Sequence, residues 1–185
     1  AIYPLNTDIL FVGTAGAYLG YLYKSYDGGE NWIKIESEMN LSATKIKFDP
    51  NDLQTMYIST SWTADLLKSS DLGNTWEKIF PEPESGLYDF LIEKGNSNNI
   101  YALFGYDLQD SIGTKRGVLI SHNAGETWEM ANDGLPDTVS YNPFRVVKDY
   151  QTNDLYLTLV LGGMGNSFVY KLPSGSTTWE IVKEW

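Results

Sequence analysis

The chain repeats one eight-residue stretch that closes on a tryptophan. The repeats read SYDGGENW at 25–32, SSDLGNTW at 69–76, SHNAGETW at 121–128 and LPSGSTTW at 172–179, and we call them the first to fourth boxes. Their starts lie 44, 52 and 51 residues apart. A turn has no need of a tryptophan at a fixed distance. Recurrence at a nearly constant period therefore indicates a chain built from copies of one supersecondary unit.

Each box lies between two short runs that are typical of β-strands, such as GYLYKS and WIKIE around the first. Further strand-like runs precede the boxes, separated by polar turns such as DPNDLQ and KGNSNN. Four strands per unit at this period is the pattern of a propeller blade. The sequence therefore predicts one all-β propeller domain over 1–185, with four four-stranded blades visible and the first incomplete. The predicted blades are 1–36, 43–80, 87–131 and 143–185.

The boxes resemble the Asp-box, or BNR repeat, whose pattern is S-x-D-x-G-x-T-W. Sialidases, xyloglucanases, sortilin-type receptors and a photosystem II assembly factor carry this motif in the hairpin between the third and fourth strands of a blade. In these families the box is structural, so the resemblance implies turn and packing roles rather than ligand binding. The residues assigned to that role are Ser25, Asp27, Gly29, Trp32, Ser69, Asp71, Gly73, Trp76, Ser121, Asn123, Gly125, Trp128 and Trp179.

The third and fourth boxes depart from the pattern. Asn123 replaces the acid of the third box, and its side-chain oxygen can still accept hydrogen bonds from turn amides. The fourth box has Leu172 and Ser174 at the positions of the serine and the acid. Only Trp179 of that box therefore keeps its expected role.

The first blade is short at its amino-terminal side. Only residues 1–5 stand where the later blades have a full inner strand. An unpaired strand edge leaves backbone groups without hydrogen bonds and templates pairing with another chain. We therefore expect part of a larger propeller, completed by self-association or by a second chain. The alternative is a self-contained ring of four blades with an irregular first blade.

The loops opposite the boxes form the expected binding face, because propellers place their sites on such loops. Trp62 lies in one of them, outside the repeat. It is either a stacking platform for a sugar or an anchor for a partner protein, or it caps its own blade. The longest loop between the second and third strands of a blade covers 105–116. The candidate ligand-binding residues are Trp62, Asp65, Tyr106, Asp107, Asp110 and Arg116.

Composition excludes several function classes. The chain has 13 basic and 24 acidic residues, and its formal charge of −11 disfavours nucleic acid and anionic lipid as partners. No apolar run is long enough for a membrane span. Cysteine is absent and the one histidine, His122, lies in the third box, so thiolate sites, multi-histidine metal sites and a histidine triad are excluded. We expect no cofactor and no metal.

The numbers of arginines and carboxylates argue against a sialidase and leave another glycoside hydrolase open. A resemblance to sialidases would require three arginines for the substrate carboxylate, and the chain has only Arg116 and Arg145. A glycoside hydrolase of another class needs only two carboxylates at a set separation. The match to xyloglucanases covers their repeats and not the surroundings of their catalytic residues. Acids on the expected binding face are Asp65, Glu84, Asp89, Asp107 and Asp110.

Three functional hypotheses remain. The leading one is a secreted, non-catalytic propeller module, extracellular or periplasmic, that binds carbohydrate or a protein partner through its loop face. The first alternative is a fragment of an Asp-box glycoside hydrolase, xyloglucanase-like or sialidase-like, with catalytic groups partly outside this chain. The second is an assembly factor resembling the photosystem II assembly protein. That resemblance implies client recognition through basic residues, which the charge of −11 disfavours.

Overall fold

The structure is a computed structural model that describes residues 1–14, 20–60, 65–80, 86–105, 117–136, 141–161 and 166–185. These ranges contain fifteen β-strands and no helix, so none of the described residues forms a helix able to cross a membrane. The strands are β1 (Leu10–Gly13), β2 (Leu22–Ser25), β3 (Ile33–Lys34), β4 (Ala43–Phe48), β5 (Met56–Thr60), β6 (Leu66–Ser69), β7 (Glu77–Lys78), β8 (Gly86–Ile92), β9 (Ile100–Gly105), β10 (Gly117–Ser121), β11 (Glu129–Met130), β12 (Tyr141–Lys148), β13 (Leu155–Leu161), β14 (Ser167–Leu172) and β15 (Glu180–Glu184).

The strands form four antiparallel sheets in chain order. Three sheets have four strands, β4 to β7, β8 to β11 and β12 to β15, and the first has three, β1 to β3. This meander order confirms the all-β fold of propeller blades. The first blade is incomplete, as predicted. An isolated bridge from Ile2 to Leu10 and a hydrogen bond from the Phe11 amide to the Ala1 carbonyl (2.9 Å) stand in place of its inner strand.

The chain divides into two compact units, each with its own core. The first unit comprises Ala1–Glu84 with Lys94–Ser97, and the second comprises Ser85–Glu93 with Asn98–Trp185. Apolar side chains of the strands fill both cores. Strands β5, β9 and β10 are buried at every position, so both faces of these strands are covered. The first core includes Phe11, Leu22, Leu41, Met56, Ile58 and Leu67. The second includes Leu103, Val118, Val146, Leu157, Leu159, Tyr170 and Trp179.

The first three boxes are held by the same hydrogen bonds. In the second box, Ser69 Oγ donates to Asp71 Oδ1 (2.8 Å) and accepts from the Gly73 amide (2.8 Å). Asp71 also accepts from the Thr75 amide and hydroxyl (2.8 and 2.7 Å). Gly73 has φ +86°, a left-handed conformation that favours glycine. The turn therefore needs the serine, the acid and the glycine together.

Small differences distinguish the other two intact boxes. In the first box, the Asn31 backbone amide, the Asn31 side chain and Ser25 lower the pKa of Asp27 to about 2. In the third box Asn123 Oδ1 accepts from the Thr127 amide (2.9 Å), while its Nδ2 donates to the Thr127 hydroxyl (2.9 Å). The Asn123 side chain thus makes the same contacts as Asp71. In one of them the direction is reversed, because Asn123 donates to the threonine hydroxyl whereas Asp71 accepts from it.

The box tryptophans differ in burial. Trp76 packs on the first core, and its indole N–H donates to the Gly73 carbonyl (3.1 Å). Trp32 is 40% exposed. Trp179 of the fourth box is buried, and its indole N–H donates to the Ala131 carbonyl (2.7 Å) rather than to its own turn. Loss of the serine and acid in that box thus coincides with a different anchor for the tryptophan.

Candidate functional site

The described residues include only one of the six candidate ligand-binding residues, Asp65. Trp62, Tyr106, Asp107, Asp110 and Arg116 lie outside the described residues, as does Glu84. Of the other acids expected on the loop face, Asp89 is buried in β8 and accepts from the Val146 amide (3.3 Å). Asp89 therefore has a structural contact of its own.

Two hairpins of the first unit end in the same way on the loop face. In the β1–β2 hairpin the Thr14 amide donates to the Tyr21 carbonyl (2.8 Å), and the Tyr21 amide donates to Thr14 Oγ1 (3.0 Å). Thr60 and Asp65 exchange the same two bonds at the end of β5 and the start of β6, both at 3.0 Å. Tyr21 and Asp65 are thus equivalent positions, and the ends of the loop that contains Trp62 are fixed.

A lysine from the outer strand reaches each of these positions. The Lys34 ammonium lies 4.4 Å from the centroid of the Tyr21 ring, a cation–π contact. Lys78, its equivalent on β7, forms an ion pair with Asp65 Oδ1. That oxygen is buried and has no other hydrogen-bond partner among the described residues. The two blades therefore share a lysine and differ in the group that it covers.

A pocket of about 300 Å³ opens beside Tyr21 in the first unit. Lys34 in its wall also pairs with Glu36 (3.1 Å), and Asn40 Oδ1 accepts from the Ser42 amide (3.0 Å). An aromatic ring among hydroxyl, amide and charged groups can stack on a sugar and bond its hydroxyls. The lining residues are Gly20, Tyr21, Lys34, Ile35, Glu36, Ser37, Glu38, Met39, Asn40 and Leu41.

A larger cleft, of about 650 Å³, opens in the second unit beside the third and fourth boxes, and we call it the box cleft. Lys148 and Glu93 in its wall form an ion pair of 2.6 Å, with side chains 8% and 15% exposed. Glu93 Oε2 also accepts from the Tyr101 hydroxyl (2.8 Å) and from Asn99 Nδ2 (2.9 Å). No feature of the repeats predicts a cleft on this side of the blades.

The environment of Glu93 favours its ionised form. Burial alone would raise its pKa, but the hydrogen bonds from Lys148, Asn99 and Tyr101 and the charge of Lys148 outweigh that effect, and the pKa is lowered. Burial and the neighbouring Glu93 carboxylate raise the pKa of the Tyr101 hydroxyl, which therefore stays protonated. Glu93 is thus a fixed negative charge, balanced by Lys148.

Sequence reasoning missed both pockets. The repeats do not mark Tyr21 as a site residue, because its equivalent in the next blade is Asp65. Only the lysine recurs, as Lys34 and Lys78. The acid of the box cleft could have been found, since Glu93 and Tyr101 repeat the eight-residue spacing of an acid and a tyrosine in the preceding blade. No group of three or more metal-ligating side chains occurs in the part of the chain that the structure describes.

Comparison with known proteins gives a family and a set of relatives. Residues 20–159 match the Sortilin-Vps10 family (Sortilin, neurotensin receptor 3). The xyloglucanase Xgh74A of Acetivibrio thermocellus is 31% identical over an alignment of 103 positions, which covers 46% of this chain and 12% of that protein. The chain therefore spans a small part of the relative that it matches.

Two solved structures show the same fold at low sequence identity. The GH74 enzyme of Niastella koreensis aligns with a TM-score of 0.70 and 20% identity, over 98% of this chain and 29% of that chain. YCF48 from Cyanidioschyzon merolae aligns with a TM-score of 0.59 and 16% identity, over 98% of this chain and 54% of that chain. These similarities support the assignment of the four sheets as propeller blades.

Proposed function

The chain belongs to the Sortilin-Vps10 family, and we propose that it is part of a propeller that binds a polysaccharide of the xyloglucan class through its loop face. The observation that carries the proposal is the 31% identity to a xyloglucanase, which extends over 103 residues and so well beyond any single box. The pocket beside Tyr21 supports it, because an aromatic ring next to amide and hydroxyl groups suits a sugar.

We assign the binding role to two aromatic residues of neighbouring blades. Lys34 lies over one face of the Tyr21 ring, so the opposite face is the proposed stacking surface, and Glu36 and Asn40 also line the pocket. Trp62 is proposed as a second stacking platform, on a loop whose ends are fixed by Thr60 and Asp65. The remaining proposed contacts are Tyr106, Asp107, Asp110 and Arg116.

Binding without catalysis is the first form of this proposal. Asp65 is paired with Lys78, and Asp89 accepts a backbone amide, so neither is a carboxylate free to protonate or attack a glycosidic bond. The second form is a segment of a glycoside hydrolase, favoured because the relative is itself a xyloglucanase. It requires two carboxylates about 5–9.5 Å apart, at least one of them outside the described residues or on another segment.

The two forms are separated by one set of measurements on xyloglucan oligosaccharides. Calorimetric titration should show binding, and Trp62→Ala and Tyr21→Ala should each weaken it about tenfold, the loss of one stacked ring. Trp32→Ala, which removes an exposed tryptophan of the first box, is the matched control and should leave the affinity unchanged. Unchanged affinity in both loop-face variants would reject the proposal. Release of reducing ends during the titration would select the hydrolase form.

We also propose that the protein acts outside the cell or in the periplasm, where such polysaccharides are met.

A protein partner or a second copy is proposed to cover exposed apolar side chains of the last blade, which are Val147, Ile181, Val182 and Trp185. Sedimentation equilibrium should therefore show a dimer or larger species that dissociates in the Ile181→Lys variant. A monomer at all concentrations would contradict self-association. Nothing in the described contacts favours an assembly factor, and the charge of −11 still disfavours that alternative.

A further inference from the structure

The box cleft contains the single histidine of the chain in an unusual arrangement. His122 Nδ1 lies 2.8 Å from Asn99 Oδ1, and His122 Nε2 lies 3.3 Å from Glu129 Oε1. Both residues of this contact are open to solvent, since the His122 and Glu129 side chains are 61% and 68% exposed. The contact therefore lies at the mouth of the cleft, within reach of a ligand.

The hydrogen-bond chain assigns the proton on this histidine. Asn99 Nδ2 donates to the Glu93 carboxylate (2.9 Å), which can only accept, so the orientation of the Asn99 amide is fixed. Its Oδ1 must then face His122 as an acceptor, and the hydrogen of the neutral imidazole lies on Nδ1. Nε2 is consequently an acceptor, and it faces a carboxylate oxygen that is also an acceptor.

Two acceptors 3.3 Å apart cannot hydrogen-bond to each other, and a shared donor would satisfy both. A proton on Nε2 supplies one, and a ligand that carries a positively charged N–H group supplies another. The negative lining suits either cation, and the apolar lining of the cleft suits the carbon chain of an organic ligand. Glu93 and Lys148 neutralise each other, whereas Glu129 and Asp133 leave the lining negative.

We propose that the box cleft binds an alkylammonium group, the chemistry of a lysine side chain. The ammonium donates to His122 Nε2 and to the Glu129 carboxylate at the mouth. Its methylene chain lies along the apolar part of the lining, which an isolated inorganic cation would not use. The apolar lining residues are Ile120, Met130, Ala131, Leu155, Leu172 and Pro173.

The single histidine makes the site directly observable. We expect a blocked lysine peptide, acetyl-Gly-Lys-Gly-amide, to shift the His122 ring resonances in ¹H–¹³C spectra with a saturating curve and a dissociation constant on the order of 1 mM. A peptide with norleucine in place of lysine lacks the ammonium and should give no such shift. The diamine 1,5-diaminopentane tests whether the alkylammonium group comes from a protein or from a free polyamine. Tighter binding of the peptide assigns a protein partner, and tighter binding of the diamine assigns a free polyamine.

Two variants decide between site binding and general charge attraction. Glu129→Gln should weaken binding about fivefold, the upper end for one exposed charge pair. Glu126→Gln removes an exposed acid of the same turn that does not line the cleft, and should leave the affinity unchanged. The proposal is overturned if the lysine peptide gives no saturable shift at pH 7.5, if norleucine matches it, or if Glu129→Gln and Glu126→Gln weaken binding equally.

Discussion

Asp49 and Glu93 occupy the same place in two successive blades, directly after the inner strand, and each accepts from a tyrosine eight residues further on. In the first unit the Tyr57 hydroxyl lies 3.4 Å from Asp49 Oδ2, and Ser97 Oγ donates to Asp49 Oδ1 (2.8 Å). In the second unit the Tyr101 hydroxyl lies 2.8 Å from Glu93 Oε2, and Lys148 donates to Oε1 (2.6 Å). We call these two sets the first-unit clasp and the second-unit clasp.

The two clasps hold a carboxylate by different means. Asp49 is surrounded by neutral donors, the amides of Asn51 and Asp52 as well as Ser97. Glu93 has an ammonium group instead, on a lysine that is itself buried. The repeat thus keeps the acid and the tyrosine and leaves the third partner free to vary. A neutral partner can be removed at small cost, whereas removal of a buried charge leaves its counterion uncompensated.

The largest expected effect is the loss of the charged partner. Lys148→Met keeps much of the length of the side chain and removes the charge. It should lower the free energy of unfolding by about 3 kcal/mol, because the Glu93 side chain, which is only 15% exposed, stays ionised without a counterion. Urea unfolding at pH 7 measures this. The double variant Lys148→Met/Glu93→Gln should lose less than the single variant, since no uncompensated charge remains. Equal losses in the single and double variants would contradict the ion-pair role.

A smaller effect is expected from acid. The pKa of Glu93 is lower in the folded protein than in the unfolded chain, so its ionisation stabilises the fold above the unfolded value of about 4.3. That contribution is lost as the pH falls through the folded pKa. Glu93→Gln should therefore flatten the decline in unfolding free energy between about pH 5 and 3, whereas Glu126→Gln, an exposed control, should not. Parallel curves for wild type and Glu93→Gln would contradict the assignment.

How much of this could be predicted from the sequence depends on whether a feature is repeated. The boxes recur with their tryptophans, and each fixes a turn between two strands, so the order of strands in every blade followed from the motif. The partners of Asp49 and Glu93 do not recur. Ser97 and Lys148 lie far along the chain from the acids that they contact, and nothing local in their sequence marks them. Long-range pairs of this kind emerge only when the sheets pack.

The candidate site was less predictable for a related reason. Trp62 stands out in the sequence because it lies outside the repeat. A comparison of the repeats identifies such inserted residues more readily than substitutions at repeated positions. Tyr21 occupies a repeated position, where the next blade has Asp65, and the pocket beside it forms only when the strands pack. In the sequence His122 belongs only to a box. Its role in the cleft depends on the orientation of Asn99, which three-dimensional contacts fix.

The neutral partner of the first-unit clasp should matter less than the charged one. Ser97→Ala removes the hydrogen bond to Asp49 and the acceptor for Asn51 Nδ2 (2.8 Å), and should cost about 1 kcal/mol, because two amides still donate to the carboxylate. Ser70→Ala, at an exposed serine of the same unit, is the control and should be neutral. A loss as large as that of Lys148→Met would mean that charge is not what separates the two clasps.

The tyrosines give the finest test of the comparison. Both are buried, and burial followed by the nearby carboxylate raises the pKa of each hydroxyl, so both remain donors at neutral pH. The Tyr101 hydroxyl makes a short bond of 2.8 Å, whereas that of Tyr57 lies at 3.4 Å, near the limit for a hydrogen bond. Tyr101→Phe should therefore cost about 0.5 kcal/mol more than Tyr57→Phe in urea unfolding. The Lys148→Met background should enlarge this difference, because Tyr101 and Asn99 are then among the donors that still hold Glu93. An equal or greater cost for Tyr57→Phe would show that the shorter bond does not mark the stronger clasp.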